Sequence, residues 1–355
     1  MSSFSKKLLG WYDENHRKLP WRATKTPYNI WLSEIILQQT RVEQGLPYYR
    51  KFITTFPTVN DLANADEDKV LKLWQGLGYY SRARNLHFTA KQIVNDYNGE
   101  FPNTKKNLLK LKGVGDYTAS AIASFCFEEP TPVIDGNVFR FICRLLGITI
   151  PIDVPETKNE VHDFLIRHII NGNASKFNQA IMEFGALQCT PKKPKCESCV
   201  FMQDCKAYNK NLIEIIPAKS KKVKVKHRYF NYFFISVNCT MVIRKRTEND
   251  IWKNLYEFPL IESSKSADLS TIQKQFKKNF DVNEKIAISF LTTYQHQLTH
   301  QKIHGSFWLV HTKSQIEIKN TILVAANELN NYAFSRLITR FIEDFENNDL
   351  QLQIV

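Results

Sequence analysis

No run of about 18 apolar residues occurs anywhere in the chain, which excludes a membrane-spanning helix. The N-terminal stretch MSSFSKKLLGWYDENHRKLPW lacks an apolar core followed by a small-residue cleavage site, so no secretory signal is expected. The cysteines do not form an even set. There are seven, and four fall between Cys189 and Cys205. That distribution argues against a disulfide framework and for a metal or cluster site in a reducing cytosol. No self-similarity recurs at solenoid periods. Acidic residues are also in short supply: 35 Asp and Glu stand against 48 Lys and Arg, leaving a formal charge of +13. A basic surface attracts polyanions, of which nucleic acid is the commonest.

What remains is an ordinary globular composition, 43% apolar and 23% charged over 355 residues, enough for two or three domains. Residues 1–210 read as mainly helical. Thr26 before Pro27 predicts an N-cap, followed by Ile30, Trp31, Glu34, Ile35 and Gln38 at helical spacing. Further helices are predicted near 45–56, 66–75, 81–97, 104–110, 116–127, 136–146, 156–171 and 175–187, with Pro, Gly and Asn punctuating the gaps. At 217–228 the composition changes to PAKSKKVKVKHR, six of twelve residues being Lys or Arg. This predicts a linker with a strong positive field, and a merely solvated tether is the competing reading. Beyond it, Tyr229–Val242 and Lys302–His311 are β-rich, and helical patterns recur near 268–279 and 334–346. The C-terminal part therefore reads as a smaller α+β domain.

Three constellations carry chemistry. Cys189, Cys196, Cys199 and Cys205 are spaced C-x6-C-x2-C-x5-C, so four thiolates can wrap one soft-metal centre. Structural zinc also takes four cysteines but more often uses two C-x2-C knuckles, so the spacing favours a [4Fe–4S] cluster without excluding zinc. Cys126, Cys143 and Cys239 sit in apolar stretches and read as small core residues. The turn LKGVGDYTA at 111–119 places Gly113 and Gly115 just before a helix, where backbone N–H groups can hold a phosphate; a plain helix–helix turn is the alternative. The third constellation is two carboxylates. Glu34 has Ile30, Trp31 and Leu37 among its helical neighbours, which would desolvate it and raise its pKa as a general acid requires, although a surface Glu is the more common case. Asp135 precedes Gly136 at the head of a helix, where an N-cap and a catalytic carboxylate are both possible.

Taken together, Leu19-Pro20-Trp21, WLSEIILQQTRV at 31–42, GLGYYSRARNLH at 76–87, LKGVGDYTA at 111–119, VIDGNVFR at 133–140 and the cysteine loop resemble the MutY-type adenine DNA glycosylases of the helix–hairpin–helix superfamily. The resemblance is strongest over residues 10–210. It implies a mainly α N-terminal region, with a helix–hairpin–helix glycosylase fold and an iron–sulfur loop, plus an α+β Nudix-like C-terminal domain. The implied domains are a six-helix domain at 21–136, a cluster domain at 1–20 and 137–212, a basic linker at 213–228 and a lesion-recognition domain at 229–355.

The resemblance further implies removal of adenine mispaired with 8-oxoguanine or guanine. Glu34 matches the acid that protonates adenine N7, and Asp135 the carboxylate that stabilises the oxocarbenium-like sugar. Tyr117 and Asn137 match their supports. Gln39 and Thr40 match residues at the DNA, Gln39 entering the base stack, and Tyr79 matches a wedge beside the lesion. Gly113 and Gly115 match the phosphate-binding hairpin, and the four cysteines a [4Fe–4S] cluster. Where the endonuclease III type places a Schiff-base Lys after the hairpin, this chain has Tyr117, which implies a monofunctional enzyme. The signature WKNLYEFP at 252–259 matches the Nudix-like domain, whose Glu-rich metal box is missing, so no nucleotide hydrolysis is expected there. The family's Phe-Ser-His lesion loop is here Leu298-Thr299-His300: Thr299 keeps the hydroxyl and His300 the imidazole, while the aromatic ring is lost.

The expected partner is double-stranded DNA containing such mispairs, bound by a monomeric, cytoplasmic, nucleoid-associated protein with no membrane partner. The competing functions are a bifunctional oxidised-pyrimidine glycosylase and lyase, opposed by Tyr117, and a non-catalytic DNA-binding iron–sulfur protein, opposed by the pair Glu34 and Asp135. Neutralising the lysines of residues 219–228 should weaken DNA binding and flatten its dependence on salt, as read from Kd across a salt titration. An unchanged slope would reduce this segment to a tether.

Overall fold

The computed structural model describes residues 1–218, 225–237, 240–282, 286–312 and 316–347. The Lys-rich stretch 219–224 and Cys239 lie outside the described residues. The chain divides into two compact units, Met1–Asn64 with Asn85–Lys221, and Ala65–Arg84 with Lys222–Val355.

Helices run in the order α1 Ser3–Asn15, α2 Pro27–Leu37, α3 Val42–Thr55, α4 Val59–Ala63, α5 Glu67–Trp74, α6 Ser81–Tyr97, α7 Lys105–Leu108, α8 Asp116–Phe127, α9 Gly136–Leu146, α10 Pro155–His168, α11 Ala174–Leu187 and α12 Lys206–Asn209. Helix α2 is buried along almost its whole length, from Tyr28 and Ile30 through Ile36. A helix apolar all round belongs inside a core, and α2 packs between α3 and α8. Thr26 stands at its N-cap position, but the hydroxyl caps no N–H of α2; it accepts a hydrogen bond from the Thr24 hydroxyl instead (2.9 Å). Proline within the first turn therefore starts this helix without a capping side chain.

A second cluster in the same unit joins α1, α9, α10 and α11. Its centre is the Phe184 ring, with centroids 4.4 Å from Phe141, 4.7 Å from Trp11 and 5.3 Å from Phe201. Aromatic rings bury large apolar areas and lock one another by tilted and edge contacts, which fixes α9 against α11. Phe201 belongs to the cysteine loop, so the loop is anchored on this core.

The second unit holds a seven-stranded sheet: β1 Lys226–Val237, β2 Thr240–Lys245, β3 Tyr256–Glu257, β4 Leu260–Ser263, β5 Ala287–Gln297, β6 Gln301–His311 and β7 Thr321–Ala325. The main order is β3-β2-β1-β6-β5, with β4 also on β1 and β7 also on β2. Among the strand pairs of the described residues, β1 and β6 run parallel and the others antiparallel. Strand β1 is buried continuously from Phe230 to Ile235, as a central strand covered on both faces must be. Helix α13 (Leu269–Phe280) covers one face through Phe276 against Phe233, and α14 (Arg336–Glu346) the other through Phe341 stacked on Phe307 at 4.2 Å. Residues 65–84 are built into this unit: Tyr256 donates to Asp68 (2.9 Å), and Tyr80 donates to the Phe334 carbonyl (3.2 Å). Among the described residues, no helix is long and apolar enough to cross a membrane. Truncating the fully buried Phe341 to Ala should cost about 3–5 kcal/mol, read from denaturant unfolding by Trp252 and Trp308 fluorescence. A loss below about 1 kcal/mol would show that α14 is not needed to close this face.

Candidate active site

Glu34 and Asp135 line one cleft of the first unit, with about 180 Å³ open to water. Glu34 projects from the third turn of α2 and is 6% exposed. Burial pushes its carboxyl up to about 7 and the negative charge of Asp135 adds to the rise; a hydrogen bond from the Tyr117 hydroxyl (2.7 Å) and the charge of Arg22 oppose it. A carboxyl in this range can carry a proton at neutral pH and release it.

Asp135 caps a helix and lines the cleft at once. It is the N-cap of α9, its Oδ1 accepting from the N–H groups of Asn137 (2.9 Å) and Val138 (2.8 Å). It also lines the cleft, and Oδ2 accepts from the Asn137 side chain at 2.6 Å. Burial raises its pKa, and these N–H donors pull it back. Every one of these bonds uses the carboxyl as an acceptor, which suits the ionised form.

Arg140, one turn along α9, holds Asn137 in place. Its guanidinium donates to Asn137 Oδ1 (2.8 Å), the Gly185 carbonyl (2.6 Å) and the Cys189 carbonyl (2.7 Å). Gly185 is required by this approach, because a Cβ there would lie 2.5 Å from the Asn137 carbonyl oxygen. A hydrogen-bonded chain thus runs from the cysteine loop to the cleft. Opposite, Arg17 and Arg22 clamp Glu183 at 2.8 and 2.7 Å. Burial alone would raise Glu183, but these bonds override it and bring the carboxyl down to about 2. Sequence reasoning singled out none of Arg140, Arg17, Arg22, Glu183 or Gly185. An acid and a glycine inside the apolar run IMEFGAL at 181–187 were the available signals.

The structure gathers Glu34, Tyr117, Asp135, Asn137 and Thr40 around this cleft. Gln39, Gly113 and Gly115 lie outside its lining. Gln39 is exposed just past α2 at φ +56°, a left-handed conformation that β-carbon-bearing residues seldom adopt and that presents its side chain outward. Gly113 has φ +76°, and a Cβ there would lie 2.7 Å from that of Asn85. Gly115 is the N-cap of α8 and has no side chain with which to cap it, leaving the first N–H groups to other acceptors such as a phosphate.

In the second unit, Leu298-Thr299-His300 forms the turn between β5 and β6, closed by Leu298 N–H to the Gln301 carbonyl (2.8 Å). Thr299 meets Tyr79, hydroxyl to hydroxyl, at 2.6 Å. Tyr79 is half-exposed and also left-handed, at φ +47°. Tyr79, Thr299 and His300 share a second cavity of about 320 Å³ with Arg84 and Trp252. Glu257 of the WKNLYEFP signature is buried against Arg244 (2.6 Å) and Arg246 (3.3 Å), and Asp250 is held by Arg228 and Arg246.

Cys189, Cys196, Cys199 and Cys205 line one small apolar hollow with Phe141, Phe184 and Phe201. Four soft donors around an aromatic-walled, water-poor hollow fit an iron–sulfur cluster. Gly185→Ala should force α11 away from the start of α9. A destabilisation of about 1–3 kcal/mol in denaturant unfolding is expected, and a neutral result would show that the two helices separate freely.

Comparison with known proteins agrees with this geometry. The model for HhH-GPD superfamily base excision DNA repair proteins matches residues 32–164, that for the iron–sulfur binding domain of endonuclease III residues 189–205, and that for the NUDIX domain residues 231–344. The adenine DNA glycosylase of Buchnera aphidicola subsp. Schizaphis graminum is 40% identical over 303 residues, 84% of this chain and 85% of that protein. The adenine DNA glycosylase of Homo sapiens is 39% identical over 216 residues, 58% of this chain and 40% of that protein. Among solved structures, a thermostable thymine-DNA glycosylase superposes with a TM-score of 0.54 at 30% identity, covering 58% of this chain and 95% of that one. A non-covalent endonuclease III–DNA complex shares the fold, with a TM-score of 0.51 at 22% identity, over 59% of this chain and 95% of that one. The cysteine loop is thus a [4Fe–4S] site. With a paired-carboxyl cleft, a cluster loop and such identity over most of a relative's length, the chain belongs to the adenine DNA glycosylase family.

Proposed function

We propose that this enzyme removes adenine mispaired with 8-oxoguanine or guanine by hydrolysing its N-glycosidic bond, leaving an abasic site. The observation that carries the reading is the pair of carboxyls on one cleft, one held near 7 and the other fixed as a hydrogen-bond acceptor. Adenine is a poor leaving group until protonated, and breaking its bond to the sugar leaves positive charge on the ring. Glu34 supplies the proton at N7, with Tyr117 orienting its second oxygen. Asp135, steadied by Asn137, faces the developing oxocarbenium ion. One protonated and one ionised carboxyl around one sugar is the logic of glycoside hydrolysis.

The base must first leave the stack, at a cost of a few kcal/mol, on the order of one stacking step. Gln39, outward at the end of α2, fills the gap beside Thr40. The hairpin at Gly113 and Gly115 grips a phosphate through α8 N–H groups. Tyr79 wedges at the opposite base, and Thr299 and His300 contact the lesion. The partner is a mispaired duplex, bound by a monomer acting at the nucleoid in the cytoplasm. The [4Fe–4S] cluster supplies a compact inorganic staple that shapes the loop at 189–205. Tyr117 bears no amine, so no Schiff base forms and the enzyme is monofunctional. The 8-oxoguanine preference finds support in the hydroxyl kept at Thr299 and the removal of adenine in the names of the relatives.

Single-turnover base release should be fastest for A opposite 8-oxoguanine, slower opposite G and negligible opposite T. Release from none of these duplexes by cluster-loaded protein would overturn the assignment. Glu34→Gln should slow release by about 10²–10⁴-fold while sparing duplex binding; parent-like release would remove Glu34 from the chemistry. Because the carboxyl at 34 is raised, its proton persists up to about pH 7. The rate should therefore fall as pH rises through that value, and a flat profile there would assign the proton to another group. Borohydride should trap no covalent complex with abasic DNA.

A further inference from the structure

Arg144 is a buried cation whose contacts are not explained by the chemistry at the cleft. It lies on α9 and is 2% exposed. Its Nη1 is 3.5 Å from Cys189 Sγ and 2.7 Å from the Thr190 carbonyl, Nη2 is 3.1 Å from the Pro191 carbonyl, and Nε is 2.9 Å from the Ile216 carbonyl. Among the described residues no carboxylate pairs with it. Arg140, one turn earlier, is committed to Asn137 and two carbonyls and makes no sulfur contact. A guanidinium sealed from water and held otherwise by carbonyl dipoles is costly, and such cations are normally matched by a nearby negative charge. Among the described residues the cysteine set supplies it: four thiolates around an iron–sulfur core carry net negative charge, and Cys189 is the corner that Arg144 touches.

We propose that Arg144 is the counter-ion of the cluster at its Cys189 corner, where it sets the cluster's one-electron potential and slows loss of iron. Two features of the geometry act together. The charge beside Cys189 favours the more electron-rich state of the cluster, so it raises the potential. The fork across the Thr190, Pro191 and Ile216 carbonyls holds the start of the cysteine loop against the chain that follows α12, so the corner cannot swing open.

The two features separate by substitution in the full-length, cluster-loaded protein. Arg144→Gln removes the charge and most of the fork; Arg144→Lys keeps the charge but not the fork. By voltammetry without DNA, Arg144→Gln should show a more negative potential and Arg144→Lys the parent's. Both should release iron to a chelator faster, by about 10–100-fold, the usual consequence of removing a partner of a metal ligand. A parent-like potential and release rate in Arg144→Gln would overturn the proposal. Should Arg144→Gln fail to assemble a cluster, Arg144→Lys decides: the parent's potential with faster release supports the assignment, and a fallen potential or unchanged release refutes it.

Discussion

Keeping the Glu34 carboxyl out of water is the constraint around which the first unit is arranged. Water would return it to the ordinary carboxylate range. The shift to about 7 corresponds to about 3 kcal/mol between its protonation states, which the packing of α2 must sustain. That packing explains why α2 is apolar on every face rather than along one stripe. Tyr117 offsets part of the penalty with one hydrogen bond, leaving the carboxyl able to lose its proton as well as hold it. Glu183, which lines the same cleft, shows the contrary case: clamped by Arg17 and Arg22, its carboxyl falls to about 2.

Asp135 meets the opposite demand by different means. It too is buried, but α9 offers it the N–H groups that every helix start leaves unpaired, and Asn137 adds a third donor. Arg140 then fixes Asn137, and Gly185 lets α11 come close enough for Arg140 to reach its carbonyl. The cluster loop contributes the last acceptor, the Cys189 carbonyl. The cysteine loop and the Asp135 carboxylate are therefore parts of one hydrogen-bonded assembly.

The second unit is built on a Nudix-like sheet. Its buried Glu257 is bound by Arg244 and Arg246, and its β5–β6 turn presents Thr299 to Tyr79. Tyr79 comes from residues 65–84, which lie within the stretch matched by the helical repair family yet pack with the sheet. Tyr79 and the β5–β6 turn are in this way held by a single compact body.

Local patterns in the sequence marked most of the helices, strands β1 and β6, and the residues Glu34, Asp135 and the four cysteines. Helices α8 and α9 fall where Gly115 and Asp135 start them, because caps and glycines act locally. The four cysteines were legible because their spacing alone lets them converge, and Glu34 because its apolar neighbours at helical spacing already imply desolvation. Tertiary structure decided everything that depends on contacts distant in the chain. Glu183 is paired rather than poised because Arg17 and Arg22 reach it from over 160 residues away. The partners of Arg140 and Arg144, the need for glycine at 185 and the pairing of Tyr79 with Thr299 likewise leave no local pattern. Spacing and propensity report on neighbours within a turn or a strand, whereas a charge's partner and a side chain's clearance are fixed only when separate elements meet.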